Sequence, residues 1–92
     1  MKRIHKAFEK LGYECLTENK YGVTYAKDYG SYRHLIQAIH QPKPNSGYFV
    51  MSCREDFNSD GSNNAIRMTP KELKLIAKAA RRMSRKYKWR KW

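Results

Sequence analysis

Acidic residues, cysteines and long hydrophobic runs are all scarce in this sequence. Eight Asp and Glu residues stand against 20 Lys and Arg residues, so the formal net charge is +12. Such an excess of positive charge raises the rate of encounter with polyanions and says nothing about the fold. We therefore expect an anionic partner, and the candidates are DNA, RNA, the acidic face of another protein and an anionic membrane.

The scarcity of cysteine and of apolar runs bears on where the protein works. Two cysteines, Cys15 and Cys53, are too few for the disulfide framework of a small secreted domain, and they form no CxxC pair. The basic start of the chain lacks the apolar stretch of a signal peptide, and no segment reaches transmembrane length. We expect a soluble, cytoplasmic protein and do not expect it to bind a membrane.

The apolar residues that are present suffice for a folded domain, because they make up 40% of the chain. Near the start they recur with the spacing of one helical face, which predicts a helix over residues 2–11 that Gly12 ends. Alternation with period two, interrupted by turn residues, then predicts four strands and a polar loop. The strands lie near residues 13–18, 21–28, 32–40 and 48–54, and the loop covers residues 55–64.

The last predicted element has the clearest boundary. The motif Thr69-Pro70-Lys71-Glu72 places a hydroxyl at the N-cap, proline at the first helical position and a carboxylate at the third. It predicts a helix over about residues 70–88. The residues predicted to face the sheet are Leu73, Ile76, Ala77, Ala80 and Tyr87.

Together these elements predict an α+β fold with two helices on one face of the sheet. It has an N-terminal helix, an antiparallel sheet of about four strands and a long basic C-terminal helix. Residues 1–92 form a single domain in this prediction, with residues 88–92 as a candidate flexible tail that is basic and aromatic.

Positive charge is concentrated at the C-terminal end of the sequence. Residues 70–92 carry ten Lys and Arg residues against Glu72 alone, a net of +9, so the rest of the chain carries only +3. Like charges three and four residues apart on a helix repel each other, and a face made for solubility usually mixes both signs. We therefore predict an interface for an anionic partner, with a solvated face as the alternative. The predicted binding residues are Lys74, Lys78, Arg81, Arg82, Arg85, Lys86, Lys88, Trp89 and Arg90.

Aromatic rings and cations alternate in residues 86–92. This combination is suited to stacking on exposed nucleobases. Trp89 is equally suited to folding back over the core, which is thin in so short a chain. Both interpretations stay open on the sequence alone.

The loop before the last helix matches the first half of a calcium-binding loop. Asp56, Asn58 and Asp60 place oxygen ligands at alternate positions, and Gly61 follows where such loops turn sharply. Arg67 stands where a bidentate Glu is required, so an ordinary polar loop is the competing interpretation. We expect no obligatory cofactor, and a divalent cation held by the three oxygen-bearing residues is the one candidate.

No constellation in the sequence indicates catalysis. A nucleophilic Cys or Ser needs a neighbouring base, and the sequence shows no such pairing and no paired carboxylates. The three His and two Cys residues lack the spacing of a zinc finger or ribbon. We therefore predict a binding protein and not an enzyme.

Three segments resemble the small proteins of bacteriophages and prophages of Gram-positive bacteria. They are Phe8-Glu9-Lys10-Leu11-Gly12-Tyr13, Tyr25-Ala26-Lys27 and Thr69-Pro70-Lys71-Glu72-Leu73. Some phage proteins of this size are anti-CRISPR inhibitors, which bind an RNA-guided nuclease and block DNA loading or cleavage. The resemblance implies a non-enzymatic inhibitor or regulator in the cytosol of a host bacterium. Its partner would be an RNA-guided nuclease or another nucleoprotein complex, contacted through the basic helix.

The predicted order of elements is also similar to that of a double-stranded-RNA-binding domain, whose last helix meets phosphates across a groove. Lys74, Lys78 and Ala79-Ala80 stand in the corresponding helix. The paired lysines at the start of that helix are missing, and an extra strand is predicted. The alternative function is therefore a free-standing nucleic-acid-binding domain, for DNA or double-stranded RNA, that uses the same helix.

Overall fold

The chain folds as a helix, five strands and a second helix. The computed structural model describes residues 1–41, 47–56 and 63–89. The elements are α1 (Lys2–Lys10), β1 (Glu14–Asn19), β2 (Gly22–Asp28), β3 (Tyr32–Gln41), β4 (Gly47–Asp56), β5 (Asn63–Ala65) and α2 (Pro70–Lys86). The predicted α+β fold is confirmed. The prediction of a continuous loop over residues 55–64 is wrong in part, because the three-residue β5 begins within it.

The strands form one antiparallel sheet in the order β1-β2-β3-β4-β5, so each strand pairs with its neighbours in the chain. β3 is the central strand, and its residues are apolar on both faces, as the sequence of a central strand predicts. Ile36 of β3 is fully buried on the side that faces the helices, and Leu35 is buried on the other side. The turn between β1 and β2 consists of Lys20 and Tyr21.

Both helices pack on the same face of the sheet. Ile4 and Phe8 of α1 are buried, and the Phe8 ring stacks on Tyr25 of β2 with 3.9 Å between the ring centroids. Val23 and Ala38 of the sheet belong to the same core cluster. The opposite face, which we call the open sheet face, is left without a helical cover.

The buried stripe of α2 differs in part from the predicted one. Ile76 and Ala80 are buried as predicted, but Leu73 is 48% exposed, and Ala77 and Tyr87 are only partly buried. At 3.6 residues per turn, Leu73 and Ala77 lie roughly 60° and roughly 100° around the axis from Ile76, which places them on the flanks of the stripe. The residues that α2 buries are Ile76, Ala79, Ala80 and Met83.

The start of α2 is the predicted capping box. The side-chain oxygen of Thr69 accepts a hydrogen bond from the N–H of Glu72 at 3.1 Å, and the Glu72 carboxylate accepts one from the N–H of Thr69 at 2.8 Å. The helix ends two residues earlier than predicted. Lys88 then adopts a left-handed conformation with φ of +54°, and the N–H of Trp89 donates to the Ser84 carbonyl at 2.9 Å. This reversal returns Trp89 to the sheet.

A buried chain of hydrogen bonds joins the start of α2 to the sheet. The phenol oxygen of Tyr13 lies 2.5 Å from a carboxylate oxygen of Glu72 and 2.8 Å from Nδ1 of His34. Nε2 of His34 lies 2.5 Å from the Ser52 hydroxyl. Because the phenol has one proton and gives it to the carboxylate, it accepts from Nδ1–H of His34. Burial lowers the pKa of His34, so the ring is neutral at pH 7 and its Nε2 accepts from the Ser52 hydroxyl.

Candidate functional site

One side of α2 is a continuous row of cations. Ile76 and Met83 face the sheet, and the helical positions directly opposite them all carry Lys or Arg. All of these side chains are exposed, and within residues 1–41, 47–56 and 63–89 none of them forms an ion pair with an acidic side chain. The row consists of Lys71, Lys74, Lys78, Arg81, Arg82 and Arg85.

The outer side of α1 extends this positive surface. With Ile4 and Phe8 turned inward, the exposed side of α1 carries four cations and Glu9. The two helices pack against each other, so their axes lie about 8–10 Å apart and their outer rows are neighbours. The four cations of α1 are Lys2, Arg3, Lys6 and Lys10. We call these four residues and the row on α2 the basic helical face.

The prediction from sequence missed the contribution of α1. A signal for it exists, because Lys2, Lys6 and Lys10 recur every four residues on the side opposite Ile4 and Phe8. The omission arose because the N-terminal helix carries fewer cations than the C-terminal one and was considered only for its apolar face. The structure joins the two helices into one surface.

The open sheet face has the opposite charge balance. Strand residues alternate between the two faces of a sheet, and Ala26, Leu35 and Cys53 form a small buried cluster on this side. Among the described strand residues on the open sheet face, three are acidic and one is basic. The basic residue, Arg33, forms an ion pair with Glu55. These charged residues are Glu14, Asp28, Arg33 and Glu55. Among the residues that the structure describes, the excess positive charge therefore lies on the helical side.

Lys86 differs from the rest of the predicted binding residues. Its ammonium lies 3.0 Å from one carboxylate oxygen of Glu18 on β1, and Nε2 of His5 lies 2.8 Å from the other. Desolvation raises the pKa of Glu18, but the hydrogen bonds from Lys86 and His5 outweigh it and hold that pKa below its usual value. Lys86 thus connects the end of α2 to β1 by an ion pair, although its side chain remains exposed.

Trp89 belongs to the core. Its side chain is 6% exposed and its ring stacks on His40, with 5.4 Å between centroids and 10° between planes. The indole N–H donates to the Lys20 carbonyl at 2.8 Å. Of the two interpretations left open by the sequence, the structure supports the one in which this ring covers the core. Lys88 beside it is exposed, and Arg90 lies outside the described residues.

The candidate cation loop is described only at its first residue. Asp56 ends β4, and its carboxylate accepts a hydrogen bond from Nε of Arg54 at 2.8 Å. Asn58 and Asp60 lie outside the described residues. In the described part of the chain, no group of three or more His, Cys, Asp or Glu side chains is placed to hold a metal ion. Binding of a divalent cation by the loop stays a prediction.

The structure also reveals a Ser–His contact that the sequence does not show. Ser52 and His34 are 18 residues apart and meet because β3 and β4 are neighbours. His34 is only 4% exposed, so its imidazole is closed to a substrate. Both of its ring nitrogens take part in the hydrogen-bond network that joins α2 to the sheet. The contact therefore has a structural role.

Comparison with protein-family models, with curated proteins and with solved structures finds no match to this chain. Neither helix within residues 1–41 and 63–89 is long and apolar enough to cross a membrane. The fold and the surface define the class of protein: an α+β domain with one antiparallel sheet, covered on one face by two helices whose outer sides are basic.

Proposed function

We propose that this protein is a non-enzymatic nucleic-acid-binding protein that holds the phosphate backbone on its basic helical face. The observation that carries the proposal is the row of exposed cations on α2, none of which pairs with an acidic side chain in the described part of the chain. The cations of α1 broaden this row into a surface two helices wide.

Electrostatic cost supports a binding role for this row. Each like-charge pair three or four residues apart costs about 0.2–0.5 kcal/mol, and Lys74, Lys78 and Arg82 are successive members of one such series. Acidic residues interspersed among them would remove that cost. Phosphate groups remove it on binding, and they also release the counterions condensed on the nucleic acid.

The dimensions of the row suit a nucleic-acid backbone. From Lys71 to Arg85 the helix rises about 21 Å, at 1.5 Å per residue. Over that distance duplex DNA presents about 12 phosphate charges, at one per 1.7 Å of axis. The row can therefore contact several phosphates at once, which predicts affinity that falls steeply with salt.

The phage-type inhibitor implied by the resemblance uses the same surface. An acidic face of an RNA-guided nuclease complex and a phosphate backbone both attract this row of cations. No contact among the described residues favours the protein partner over the nucleic acid. The anti-CRISPR function therefore stays a prediction, and the experiment below separates the two.

The test is direct binding to labelled DNA and RNA, followed by fluorescence anisotropy at about 50 mM and about 200 mM salt. We expect the isolated protein to bind and to lose affinity strongly at the higher salt. If it binds neither nucleic acid at the lower salt, the proposal is wrong and a protein partner becomes the better hypothesis.

Paired variants with the same change in net charge locate the surface. Lys78→Gln with Arg85→Gln removes two charges from the row, whereas Thr17→Glu with Gln41→Glu adds two acids to the open sheet face. The first pair should lower the affinity. It should also reduce the slope of the logarithm of the binding constant against the logarithm of salt concentration by about 2. The second pair should change the slope little. Equal effects would show that net charge alone drives binding.

A further inference from the structure

We infer that a pocket at the C-terminal end of α2 receives one unpaired nucleobase, so that the protein prefers single-stranded nucleic acid; this rests on the proposed function. The pocket has a volume of about 290 Å³. Four of its lining residues have aromatic rings and the fifth is a cation. They are Lys20, Tyr21, His40, Tyr87 and Trp89.

Three separate parts of the chain fix the walls of this pocket. The indole N–H of Trp89 donates to the Lys20 carbonyl at 2.8 Å, and the N–H of His40 donates to the Tyr21 carbonyl at 3.0 Å. Tyr87 is the C-cap residue of α2. Because these hydrogen bonds tie the β1–β2 turn to β3 and to the end of α2, the backbone around the pocket and the Trp89 ring are held in place before any ligand arrives.

Tyr21 is the exposed wall. It is 55% exposed, the largest value among the exposed large hydrophobic residues of the described chain. Its N–H donates to the Asn19 side chain at 2.8 Å, which fixes the turn, and the Lys20 ammonium lies 5.2 Å from its ring centroid. An aromatic ring with a neighbouring cation is suited to a flat ring that is attached to a phosphate, because bases stack on aromatic side chains and cations contact the backbone.

The pocket lies at the same end of α2 as the last cation of the row. Tyr87 comes two residues after Arg85, the last cation of the row on α2. We therefore expect a strand whose phosphates lie along the row to place a base at the pocket beyond the end of the helix. A base stacked inside a duplex cannot enter a side-chain pocket without leaving the stack, and that costs a few kcal/mol. Single strands avoid this cost, which is why we expect them to be preferred.

The experiment compares a labelled oligothymidylate of about twelve nucleotides with a duplex of similar length, at one salt concentration, for the wild type and two tyrosine variants. Tyr21→Ala should weaken binding to the single strand by about 5- to 150-fold, the value of one base–aromatic stack. Its effect on the duplex should stay within about twofold. Tyr21→Trp should retain binding to the single strand.

The matched control is Tyr29→Ala. Tyr29 is also a tyrosine in a hairpin turn, it is 47% exposed, and the Lys27 ammonium lies 5.3 Å from its ring centroid. It lies outside the pocket, so we expect no more than about a twofold change in affinity for the single strand. A second readout is the NMR signal of the Trp89 indole N–H, which should shift when the oligothymidylate is added to the wild type.

The outcomes separate this inference from the proposed function. If the wild type binds nucleic acid with the expected salt dependence but Tyr21→Ala binds the single strand as tightly, the pocket inference is wrong and the proposed function stands. The same conclusion follows if Tyr29→Ala weakens binding as much as Tyr21→Ala does. If the wild type binds no nucleic acid, both fail together.

Discussion

The phenol of Tyr13 donates a hydrogen bond of 2.5 Å to the carboxylate of Glu72, across 59 residues of sequence. It connects the segment after α1 to the first turn of α2, and His34 of the central strand donates to the same phenol oxygen. Burial, followed by the hydrogen bond to Glu72, raises the pKa of Tyr13, so the phenol stays protonated at any ordinary pH. The position of the basic helix therefore depends on this contact.

Removing the phenol hydroxyl should destabilise the fold. Tyr13→Phe leaves Nδ1 of His34 without an acceptor and the Glu72 carboxylate without its donor, and a buried unpaired group costs about 1–3 kcal/mol. The measurement is the free energy of unfolding in urea. Tyr29→Phe is the control, because it removes a hydroxyl from an exposed tyrosine and should change that free energy by less than about 0.5 kcal/mol. A loss for Tyr13→Phe no larger than for the control would contradict the network.

Stability should fall as the pH is lowered through the range in which histidine titrates. Burial lowers the pKa of His34 below its ordinary value of 6.5; the nearby Lys27 also lowers it, whereas the charge of Glu72 acts in the opposite direction. The unfolded chain then binds a proton at a higher pH than the folded one, so the free energy of unfolding decreases as the pH falls below about 6.5. It levels off once the pH is below the pKa of His34 in the folded state.

Two measurements check this dependence. Urea unfolding at about pH 7.5 and about pH 5.5 should show lower stability at the lower pH. An NMR titration of the His34 ring should give a pKa below 6.5. A His34 that titrates at or above that value would rule out the proposed cause.

A charge reversal on the row should change stability and binding in opposite directions. Lys78→Glu places a carboxylate three and four residues before Arg81 and Arg82 and four residues after Lys74. It should stabilise α2 by about 1–3 kcal/mol in total, because three repulsions of about 0.2–0.5 kcal/mol each become attractions of similar size. It should also weaken binding to nucleic acid, because a phosphate contact is replaced by a repulsion.

The neutral variant Lys78→Gln should lie between the wild type and Lys78→Glu in both measurements. Thermal unfolding gives the stability, and anisotropy at low salt gives the affinity. If Lys78→Glu stabilised the protein and left the affinity unchanged, the row would be a solvated face and not a binding surface.

Two glycines, Gly22 at the start of β2 and Gly30 in the β2–β3 turn, should respond differently to alanine. A Cβ at Gly22, where φ is +155°, would lie 2.4 Å from the carbonyl oxygen of Ala38, so a strand must move. Gly30 has φ of +90° but no atom within 4 Å of the added carbon. We expect Gly30→Ala to cost about 1–2 kcal/mol from backbone strain alone. Gly22→Ala should cost about 3 kcal/mol. Equal losses, measured by urea unfolding, would contradict the close packing of β2 on β3.

The parts of the fold that were predicted are those with local patterns. The start of α2 followed from Thr69 to Glu72, because both hydrogen bonds of a capping box join residues three positions apart. The centre of the sheet followed from the two apolar faces of β3. β5 was missed because its three residues depend on pairing with β4, and Ala65 meets Cys53 through that pairing alone.

Much of the candidate site required the tertiary structure. The cations of α2 were identified from their spacing in sequence, whereas their union with α1 depends on the packing of two distant helices. Trp89 could not be assigned, because its burial results from a reversal at Lys88 and a hydrogen bond to the Lys20 carbonyl. The pocket brings Tyr21 beside Tyr87, and no periodicity in the chain indicates such a pairing.

The separation of charge between the two sides of the domain has a consequence for how the molecule approaches a polyanion. The field of the polyanion exerts a torque on the molecule and turns the helices toward it before contact, so encounters in the wrong orientation are reduced. When the helices are bound to the polyanion, the open sheet face points away from it. Copies that bind side by side along one strand would all display the exposed Phe49 on the same outer side.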